Sequence, residues 1–278
     1  MSVFFVSFAN SDWHADSRPL KRIGHEAESM RVFDNIFLYT ENDFDKDYVA
    51  KYGNRFKERS FGYWQWKPYV IRKVYNQMKS GDILFWCDSG CHLNKRGKRR
   101  LKEYINMLQY SDKSILVFIQ SLQERNWTKG DFFRYFNMDY SRFTDNQFWS
   151  GGFFLKKTTQ CDAFLDDWYD ICHNHHELTT DAPSEFKNFS SFKENRHDQS
   201  ALSMLIHARY KDSVLILSAD ETWADEDWSL LWRFPIWACR DHVKEVKLNA
   251  FENHYNPVRA FRREMKKMKK AVRKIICK

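Results

Sequence analysis

Long apolar segments are missing from this 278-residue chain. Nowhere does it approach the roughly 18 uninterrupted apolar residues that a membrane-spanning helix needs. The first apolar run, Met1–Phe8, also lacks the basic residues and the small-residue cleavage site that mark a secretory signal. We therefore expect this run to be a buried strand and the protein to be cytoplasmic.

Cysteine patterns that mark a disulfide framework or a zinc site are missing as well. The six cysteines form no CxxC pair and are not dense, as expected of reduced thiols. A glycine-rich phosphate loop that ends in Lys is also absent, which counts against a P-loop protein. No internal repeat or low-complexity linker interrupts the chain, so we expect one compact domain over residues 1–256.

Aromatic residues, in contrast, are abundant. The chain is 43% hydrophobic and 29% charged, which is a globular composition, and 17% of its residues are aromatic. Its 11 Trp and 13 Tyr offer flat, amphipathic rings of the kind that stack on sugars and bases. The alternative is that these rings simply form a Trp-rich core.

The net charge of +8 is concentrated at the end of the chain. Residues 257–278 contain ten Lys or Arg residues and one acid, so this tail carries +9 and residues 1–256 carry −1. Its apolar residues recur every three or four positions: Val258, Phe261, Met265, Met268, Val272, Ile275 and Ile276. This pattern predicts a basic amphipathic helix on an anionic membrane surface. A helix packed on the body is the alternative, and the neutral body disfavours a nucleic-acid partner.

The order of strand-like and helix-like segments predicts an α/β fold. The predicted strands are Val3–Phe8, Asn35–Thr40, Asp82–Cys87, Ser114–Ile119, Gly152–Lys156 and Val214–Leu217. The predicted helices are Leu20–Met30, Pro68–Lys79, Lys95–Leu108, Thr159–His173 and Ala201–Ala208. Their alternation predicts a mostly parallel central sheet with helices on both faces. Ligands bind at the carboxyl ends of such strands, which here are Ala9-Asn10, Thr40 and Asp88–Gly90.

Asp88 is the first candidate for chemistry. It ends an apolar strand and is followed by Ser89 and Gly90, so its carboxylate can hold a divalent cation while phosphate approaches the backbone. The alternative is an Asp that only caps a turn. The segment Phe61–Pro68 places three aromatic rings and Lys67 before a helix, where they can bind a base, sugar or phosphate or merely pack the helix start.

Two further segments suggest contacts with a sugar. The pair Gly151-Gly152 after Ser150 permits close approach of a ligand to the backbone, or else forms a β-bulge. Asp198 and Gln199 stand at a predicted helix start, where they can grip hydroxyl groups or move a proton. Asp198 as a simple helix N-cap is the alternative.

In this order, the segments resemble the GT-A glycosyltransferases of bacterial surface polysaccharide and lipopolysaccharide synthesis. The segments Gly62–Pro68 and Gly81–Gly90 carry most of the resemblance, with Asp-x-Gly where related enzymes have Asp-x-Asp. Ser150–Gly152 and Asp198-Gln199 are similar to segments of family-8-like retaining galactosyl- and glucosyltransferases. His254 matches their late metal-binding His in order.

The resemblance implies a GT-A, Rossmann-like domain and a role for each matched residue. Asp88 and His254 would bind Mn²⁺ or Mg²⁺, and Gln199 with Asp198 would face the reacting sugar. The implied donor site consists of Ala9, Asn10, Trp66, Lys67, Asp88, Ser89 and Gly90. The implied sugar or acceptor wall consists of Ser150, Gly151 and Gly152. Because position 90 is Gly, Lys67 or Arg18 is expected to supply part of the positive charge.

The predicted activity is transfer of a hexose from a nucleotide sugar, expected to be a UDP-sugar, to a saccharide or lipid-linked glycan. Retention of configuration is favoured, and the basic tail would hold the enzyme on the inner face of the membrane. One alternative is a nucleotidyl- or phosphotransferase on a related nucleotide-binding sheet. Another is a non-catalytic adaptor at the membrane surface, which leaves the Asp88 and Lys67 segments unexplained.

Overall fold

The computed structural model describes residues 1–10, 18–139, 143–223 and 228–241, together with Val258, Phe261 and Met265. Its strands are β1 Val3–Phe8, β2 Asn35–Tyr39, β3 Ile83–Cys87, β4 His92–Leu93, β5 Ile115–Gln123, β6 Asn146–Phe148, β7 Gly152–Lys156, β8 Val214–Ser218 and β9 Ile236–Trp237. Its α-helices of seven or more residues are Arg18–Met30, Lys46–Tyr52, Trp66–Tyr75, Lys98–Gln109, Thr159–Asn174 and Asp198–Leu205. Two shorter ones, Glu124–Trp127 and Gly130–Tyr135, lie between β5 and β6.

Seven of the described strands form one central sheet in the order β2-β1-β3-β7-β5-β6, with β8 also paired to β5. The strands β1, β2, β3, β5 and β8 run in one direction, and β6 and β7 run in the other. The predicted α/β fold with a mostly parallel sheet is therefore confirmed. The two remaining strands, β4 and β9, pair with each other in a small antiparallel sheet.

The sheet is covered on both faces because its strands are apolar on both sides. Within β1, Phe4 and Val6 face one core cluster, and Val3 and Phe5 face the other. The helices Trp66–Tyr75, Thr159–Asn174 and Asp198–Leu205 pack on the first face. The helices Arg18–Met30 and Lys98–Gln109 pack on the second. This alternation is what a strand with both faces buried requires.

Two helix starts differ from the predicted ones, and both differences concern the site. The helix predicted from Pro68 begins at Trp66, so Lys67 lies inside its first turn and is directed into the core. The helix predicted from Ala201 begins at Asp198. Asp198 is therefore a helical residue, and His197 precedes the helix with a φ of 53°.

The pairing of β3 with β7 brings distant candidates together. Cys87 at the end of β3 is opposite Gly152 at the start of β7, and the two strands are antiparallel. The backbone N–H of Asp88 then donates to the carbonyl of Gly151 over 2.8 Å. The segment Ser150–Gly152 consequently lies beside Asp88 at the carboxyl edge of the parallel strands.

Most of the predicted basic tail lies outside the described residues. Its described members, Val258, Phe261 and Met265, are helical and exposed. Among the residues that the structure describes, no helix combines the length and the apolar character needed to cross a membrane.

Candidate active site

A cavity of about 560 Å³ opens at the carboxyl edge of the sheet. Its volume is within the range of small-molecule sites. The lining includes four cationic and three acidic side chains: Arg59, Lys67, Arg196, Arg240, Asp88, Glu194 and Asp198. The cavity is therefore strongly polar, with opposite charges close to one another.

Lys67 joins two carboxylates on the floor of this cavity. Its Nζ lies 2.7 Å from Asp198 Oδ2 and 3.2 Å from Asp88 Oδ1, and 3.4 Å from the carbonyl oxygen of Ser150. The Lys67 side chain is only 1% exposed. The three charged residues come from two helix starts and the end of β3, so the fold rather than the local sequence assembles them.

Burial and charge act on Lys67 in opposite directions. Burial by itself lowers the pKa of its ammonium group, but the carboxylates of Asp198 and Asp88 outweigh this effect. The net result is a pKa above the ordinary value of 10.5, so Lys67 is charged at neutral pH. A buried ammonium group stays charged only when carboxylates lie as close to it as Asp198 and Asp88 do.

Asp88 is the more accessible of the two carboxylates, with a side chain that is 35% exposed. Its Oδ1 faces Lys67 and also accepts a hydrogen bond from the indole Nε1 of Trp86, over 3.1 Å. The indole and the ammonium group together fix this oxygen. Among the described residues the other oxygen, Oδ2, has no partner, so it can bind a ligand or a cation.

Asp198 is held more tightly, because its side chain is only 7% exposed. The backbone turn before it is fixed by His197, whose Nδ1 lies 2.8 Å from the carbonyl oxygen of Thr179. Burial lowers the pKa of His197, so this side chain is neutral at physiological pH. Asp198 caps no N–H of its own helix; its carboxylate faces Lys67 instead.

Gln199 lines the cavity beside Asp198. Its Nε2 donates to two other amide oxygens, Gln120 Oε1 over 3.1 Å and Gln147 Oε1 over 2.7 Å. Both amide hydrogens are thereby used within the protein. The amide carbonyl of Gln199 is the atom left for a ligand.

An indole ring explains the two glycines at the start of β7, Gly151 and Gly152. A Cβ atom at Gly151 would lie 2.5 Å from the Trp149 ring, and one at Gly152 would lie 2.8 Å from it. The glycines therefore make room for Trp149, which lines the cavity with Ser150 and Gly151. An aromatic wall of this kind is suited to stacking on a sugar or a base.

The guanidinium groups of three arginines from separate segments line the cavity: Arg59, Arg196 and Arg240. Burial lowers the pKa of Arg196, Glu194 opposes this, and the nearby charges of Arg240 and Arg59 lower it further. Arg196 lies 3.3 Å from Glu194, and Arg59 lies 3.0 Å from Asp181. Among the described residues Arg240 has no ion-pair or hydrogen-bond partner. Three repelling cations in one place form a favourable site for a polyanion.

A buried ion network anchors the backbone beside Arg240. Asp241 is 1% exposed, and its carboxylate lies 2.7 Å from His92 Nε2 and 3.2 Å from Arg18 Nη2. Its backbone N–H donates to the carbonyl of Gly90 over 2.8 Å. Arg18, which the sequence suggested as a charge for the donor, thus pairs with Asp241 and does not line the cavity.

The segment that leads to Lys67 has an uncommon backbone. Five consecutive residues, Ser60 to Trp64, have positive φ values between 50° and 84°. Only one of them, Gly62, is a glycine, and each of the others costs about 1–2 kcal/mol in this conformation. Stacking helps to hold the turn, with Phe61 4.2 Å from Phe56 and Trp64 5.4 Å from His197 between ring centroids.

Several residues predicted for the donor site do not line the cavity. Ala9, Asn10 and Ser89 are buried, and Trp66 packs in the core with its ring 4.0 Å from that of Phe8. Gly152 lies just behind the lining as the first residue of β7. The structure brings together Lys67, Asp88, Gly90, Ser150, Gly151, Asp198 and Gln199. Donor contacts of the buried residues stay predictions.

The predicted metal site is only partly described, since His254 lies outside the described residues. In the described part of the chain, no group of three or more His, Cys, Asp or Glu residues is arranged to hold a metal ion. The donor that remains is Asp88 Oδ2. One carboxylate oxygen fits Mg²⁺ or Mn²⁺ that is otherwise bound by phosphate and water, as is common at nucleotide sites.

No local pattern in the sequence marks the three cavity arginines or the polar residues behind Gln199. Arg59, Arg196 and Arg240 stand far apart in the sequence, so no spacing marks them as a group. Gln120 and Gln147 lie within β5 and β6. No signal singles them out, because β6 reads Asn-Gln-Phe and the second half of β5 is itself largely polar.

The sequence matches no protein-family model and no curated protein. Solved structures with a similar backbone include three glycosyltransferases. One is involved in glycosylation of the major capsid of PBCV-1; it is 10% identical, with 79% of this chain and 83% of that chain covered and a TM-score of 0.46. Mouse xyloside xylosyltransferase 1 is 10% identical, with 85% of this chain and 96% of that chain covered and a TM-score of 0.46. The galactosyltransferase LgtC is 10% identical, with 92% of this chain and 82% of that chain covered and a TM-score of 0.43.

Proposed function

We propose that the protein is a glycosyltransferase of the GT-A kind. It moves a hexose from a nucleotide sugar, which we expect to be a UDP-sugar, to a saccharide or a lipid-linked glycan. The observation that carries this proposal is the buried Lys67, which joins Asp88 and Asp198 on the floor of a cavity lined by three arginines. A cationic rim and an acidic floor match the two halves of a nucleotide sugar, its diphosphate and its hexose.

The arginines would stabilise the leaving nucleoside diphosphate. Negative charge grows on that group as its bond to the sugar breaks, and fixed cations nearby lower the energy of the transition state. Arg240 is best placed for this task, because among the described residues no acid neutralises it. Arg196 and Arg59 share their charge with Glu194 and Asp181.

Mn²⁺ or Mg²⁺ belongs to the same proposal. Asp88 would hold the ion through Oδ2, and His254 would be the second protein ligand. When bound, the ion would supply further positive charge at the diphosphate. Lys67 does not replace it, because the ammonium group already faces Asp88 Oδ1.

The ion pair of Asp198 favours a retaining reaction. An inverting enzyme needs a carboxylate that removes the proton of the acceptor hydroxyl. Asp198 is a poor base for this, since its Oδ2 lies 2.7 Å from the Lys67 ammonium group. In a retaining reaction on one face of the sugar, the leaving phosphate takes that proton. Asp198 then orients Lys67 and the sugar hydroxyls.

Binding and hydrolysis of UDP-, GDP- and CMP-sugars test the proposal directly. We expect one donor class to stabilise the protein and to be hydrolysed slowly, and Asp88→Asn to abolish both effects. Asp45→Asn is the matched control, because Asp45 also pairs with a lysine, Lys73, at 2.7 Å but on the exposed surface. Glycosyl transfer is ruled out if no donor binds, or if both variants behave alike.

A nucleotidyltransferase is the rival that the cavity also accommodates, because an arginine rim binds any polyphosphate. The products separate the two activities. Transfer of a sugar releases a nucleoside diphosphate, whereas nucleotidyl transfer from a nucleoside triphosphate releases pyrophosphate. Release of pyrophosphate from a triphosphate and a sugar phosphate would favour the rival.

Association with the inner face of the membrane is a separate proposal that rests on residues 257–278. Three apolar residues of this tail, Val258, Phe261 and Met265, are helical and exposed, as an interfacial helix requires. Deletion of residues 257–278 should abolish sedimentation with anionic liposomes and leave donor binding intact. Sedimentation that survives the deletion would contradict this proposal.

A further inference from the structure

Glu124 is a fully buried carboxylate that no step of the proposed reaction uses. It begins the short helix Glu124–Trp127, directly after β5. Three side chains donate hydrogen bonds to its two oxygens: Ser203 to Oε1, and Thr128 and Gln147 to Oε2. Donors converge on both oxygens, so Glu124 in its ionised form accepts hydrogen bonds on both oxygens.

The amide of Gln147 is oriented by this acceptor. Its Nε2 lies 3.1 Å from Glu124 Oε2, 2.9 Å from Thr128 Oγ1, 3.2 Å from the carbonyl oxygen of Trp127 and 3.4 Å from Ser200 Oγ. Thr128 gives its single hydroxyl hydrogen to Glu124, so its oxygen presents a lone pair to Gln147. Glu124 therefore supplies one of the four acceptors around Gln147 Nε2 and orients a second, the Thr128 hydroxyl. Gln147 Oε1 lies on the opposite side of the amide.

Gln147 in turn orients Gln199. Gln147 Oε1 accepts a hydrogen bond from Gln199 Nε2 over 2.7 Å, and Gln120 Oε1 accepts the second one over 3.1 Å. Both donors of the Gln199 amide thus point into the protein. Its Oε1 accepts no hydrogen bond from any described residue, and Gln199 lines the cavity.

We propose that Glu124 is a positioning residue, which fixes the carbonyl oxygen of Gln199 toward the cavity by way of Gln147. A carbonyl in this position accepts a hydrogen bond from a ligand hydroxyl and disfavours a ligand atom that can only accept. The ligand group is a hydroxyl of the transferred sugar, and this part of the inference rests on the proposed function. The orientation of the amides does not.

The orientation is testable without substrate, from the side-chain ¹H–¹⁵N resonances of Gln147 and Gln199, assigned with Gln147→Glu and Gln199→Glu. We expect Glu124→Gln to shift both pairs of resonances, because an amide at position 124 no longer requires donors on every side. Ser203→Ala is the matched control: it removes a donor from the opposite oxygen of Glu124 and should leave Gln199 unshifted.

Thr128→Val is the second variant, for use if Glu124→Gln does not fold. It removes the hydroxyl through which Glu124 acts on Gln147, and it should shift the Gln199 resonances while the carboxylate stays in place. Gln199 resonances that remain at their wild-type positions in a folded Glu124→Gln or Thr128→Val variant would overturn the proposal.

Ligand binding tests the second half of the inference. Glu124→Gln should weaken binding of the preferred UDP-sugar by about three- to tenfold, the effect of one neutral hydrogen bond, and should leave UDP binding unchanged. One monodeoxy analogue of that sugar should bind the wild-type protein more weakly than the parent UDP-sugar by the same factor. It should bind the variant as tightly as the parent UDP-sugar does. Equal losses for UDP and the UDP-sugar would show that Glu124 is only structural. If the wild-type protein binds no nucleotide sugar, the proposed function fails, while the resonances still decide the role of Glu124.

Discussion

Replacement of Lys67 by Met perturbs the cavity floor at one point, because Met has a similar length and no charge. The ammonium group it removes lies 2.7 Å from Asp198 Oδ2 and 3.2 Å from Asp88 Oδ1. Asp198 is only 7% exposed and would become a buried carboxylate without a partner, whereas Asp88 is 35% exposed and can be hydrated. Removal of one member of a buried ion pair costs about 3–5 kcal/mol of unfolding free energy.

Urea denaturation followed by tryptophan fluorescence measures this loss. Lys73→Met is the control, because its pair with Asp45 is exposed and is worth about 0–1 kcal/mol. A second substitution, Asp198→Asn, should recover much of the loss caused by Lys67→Met, since it removes the unpaired charge. The reasoning is refuted if Lys67→Met costs no more than Lys73→Met, or if the double variant is less stable than Lys67→Met.

The dependence of the unfolding free energy on pH, above neutral pH, is an independent test of the Lys67 ion pairs. The folded-state pKa of Lys67 lies above the ordinary value of 10.5, because Asp198 and Asp88 outweigh the effect of burial. The stabilisation is therefore fully present below pH 10.5 and is lost as the pH rises through the folded-state value. We expect the difference in stability between the wild-type protein and Lys67→Met to be constant from neutral pH to about pH 10.

Further predictions concern the rim, the buried acid and the backbone. Arg240→Met should weaken UDP binding by about 1.5–3 kcal/mol, the loss of a charged hydrogen bond, and should reduce its salt dependence in calorimetric titrations; an unchanged affinity contradicts the arginine site. Burial raises the pKa of Glu124 from 4.5 to about 7, so the wild-type protein should gain about 3 kcal/mol relative to Glu124→Gln between pH 8 and pH 4.5, and a flat difference contradicts this. Gly151→Ala places a Cβ atom 2.5 Å from Trp149 and should cost about 1–3 kcal/mol in urea denaturation; a neutral result would refute the packing. Ser60→Gly, at a φ of 52°, should stabilise the protein by about 0.5–1 kcal/mol, whereas destabilisation would show that no strain is relieved.

The strands were predictable because their sequence pattern and their burial coincide. Val3–Phe8 and Gly152–Lys156 have the predicted bounds, since each is an apolar run that is buried on both faces and ends at polar residues or glycine. The direction of β7 was not predictable. An apolar run has the same composition in either direction, and only its pairing with β3 and β5 shows that it is antiparallel.

The charged floor was predictable in its parts but not as a unit. Lys67, Asp88 and Asp198 each stood out in the sequence, yet nothing in it indicated that one ammonium group joins both acids. That contact depends on the helix starts at Trp66 and Asp198, both earlier than predicted. Asp198 caps no N–H of its helix because its carboxylate is engaged by Lys67.

Glu124 was not predictable from any local signal. A single acid after an apolar strand looks like a surface residue at a strand end, and most acids in that position are hydrated. Its burial results from polar neighbours such as Gln147 and Ser203, which reach it from other segments. Long-range assembly of this kind leaves no spacing pattern in the sequence.

The strained backbone of the chain is concentrated around the cavity. Eight non-glycine residues in the described segments have positive φ, and four of them line the cavity: Ser60, Trp64, His197 and Arg240. Three of them are held by contacts outside their own turns: Trp64 stacks on His197, and Asp241 is anchored beside Arg240. A fold under selection for stability alone would relieve such positions with glycine, at a gain of about 1 kcal/mol each. Strained positions of this kind cluster at functional sites in proteins, so the strain supports the cavity as the candidate site.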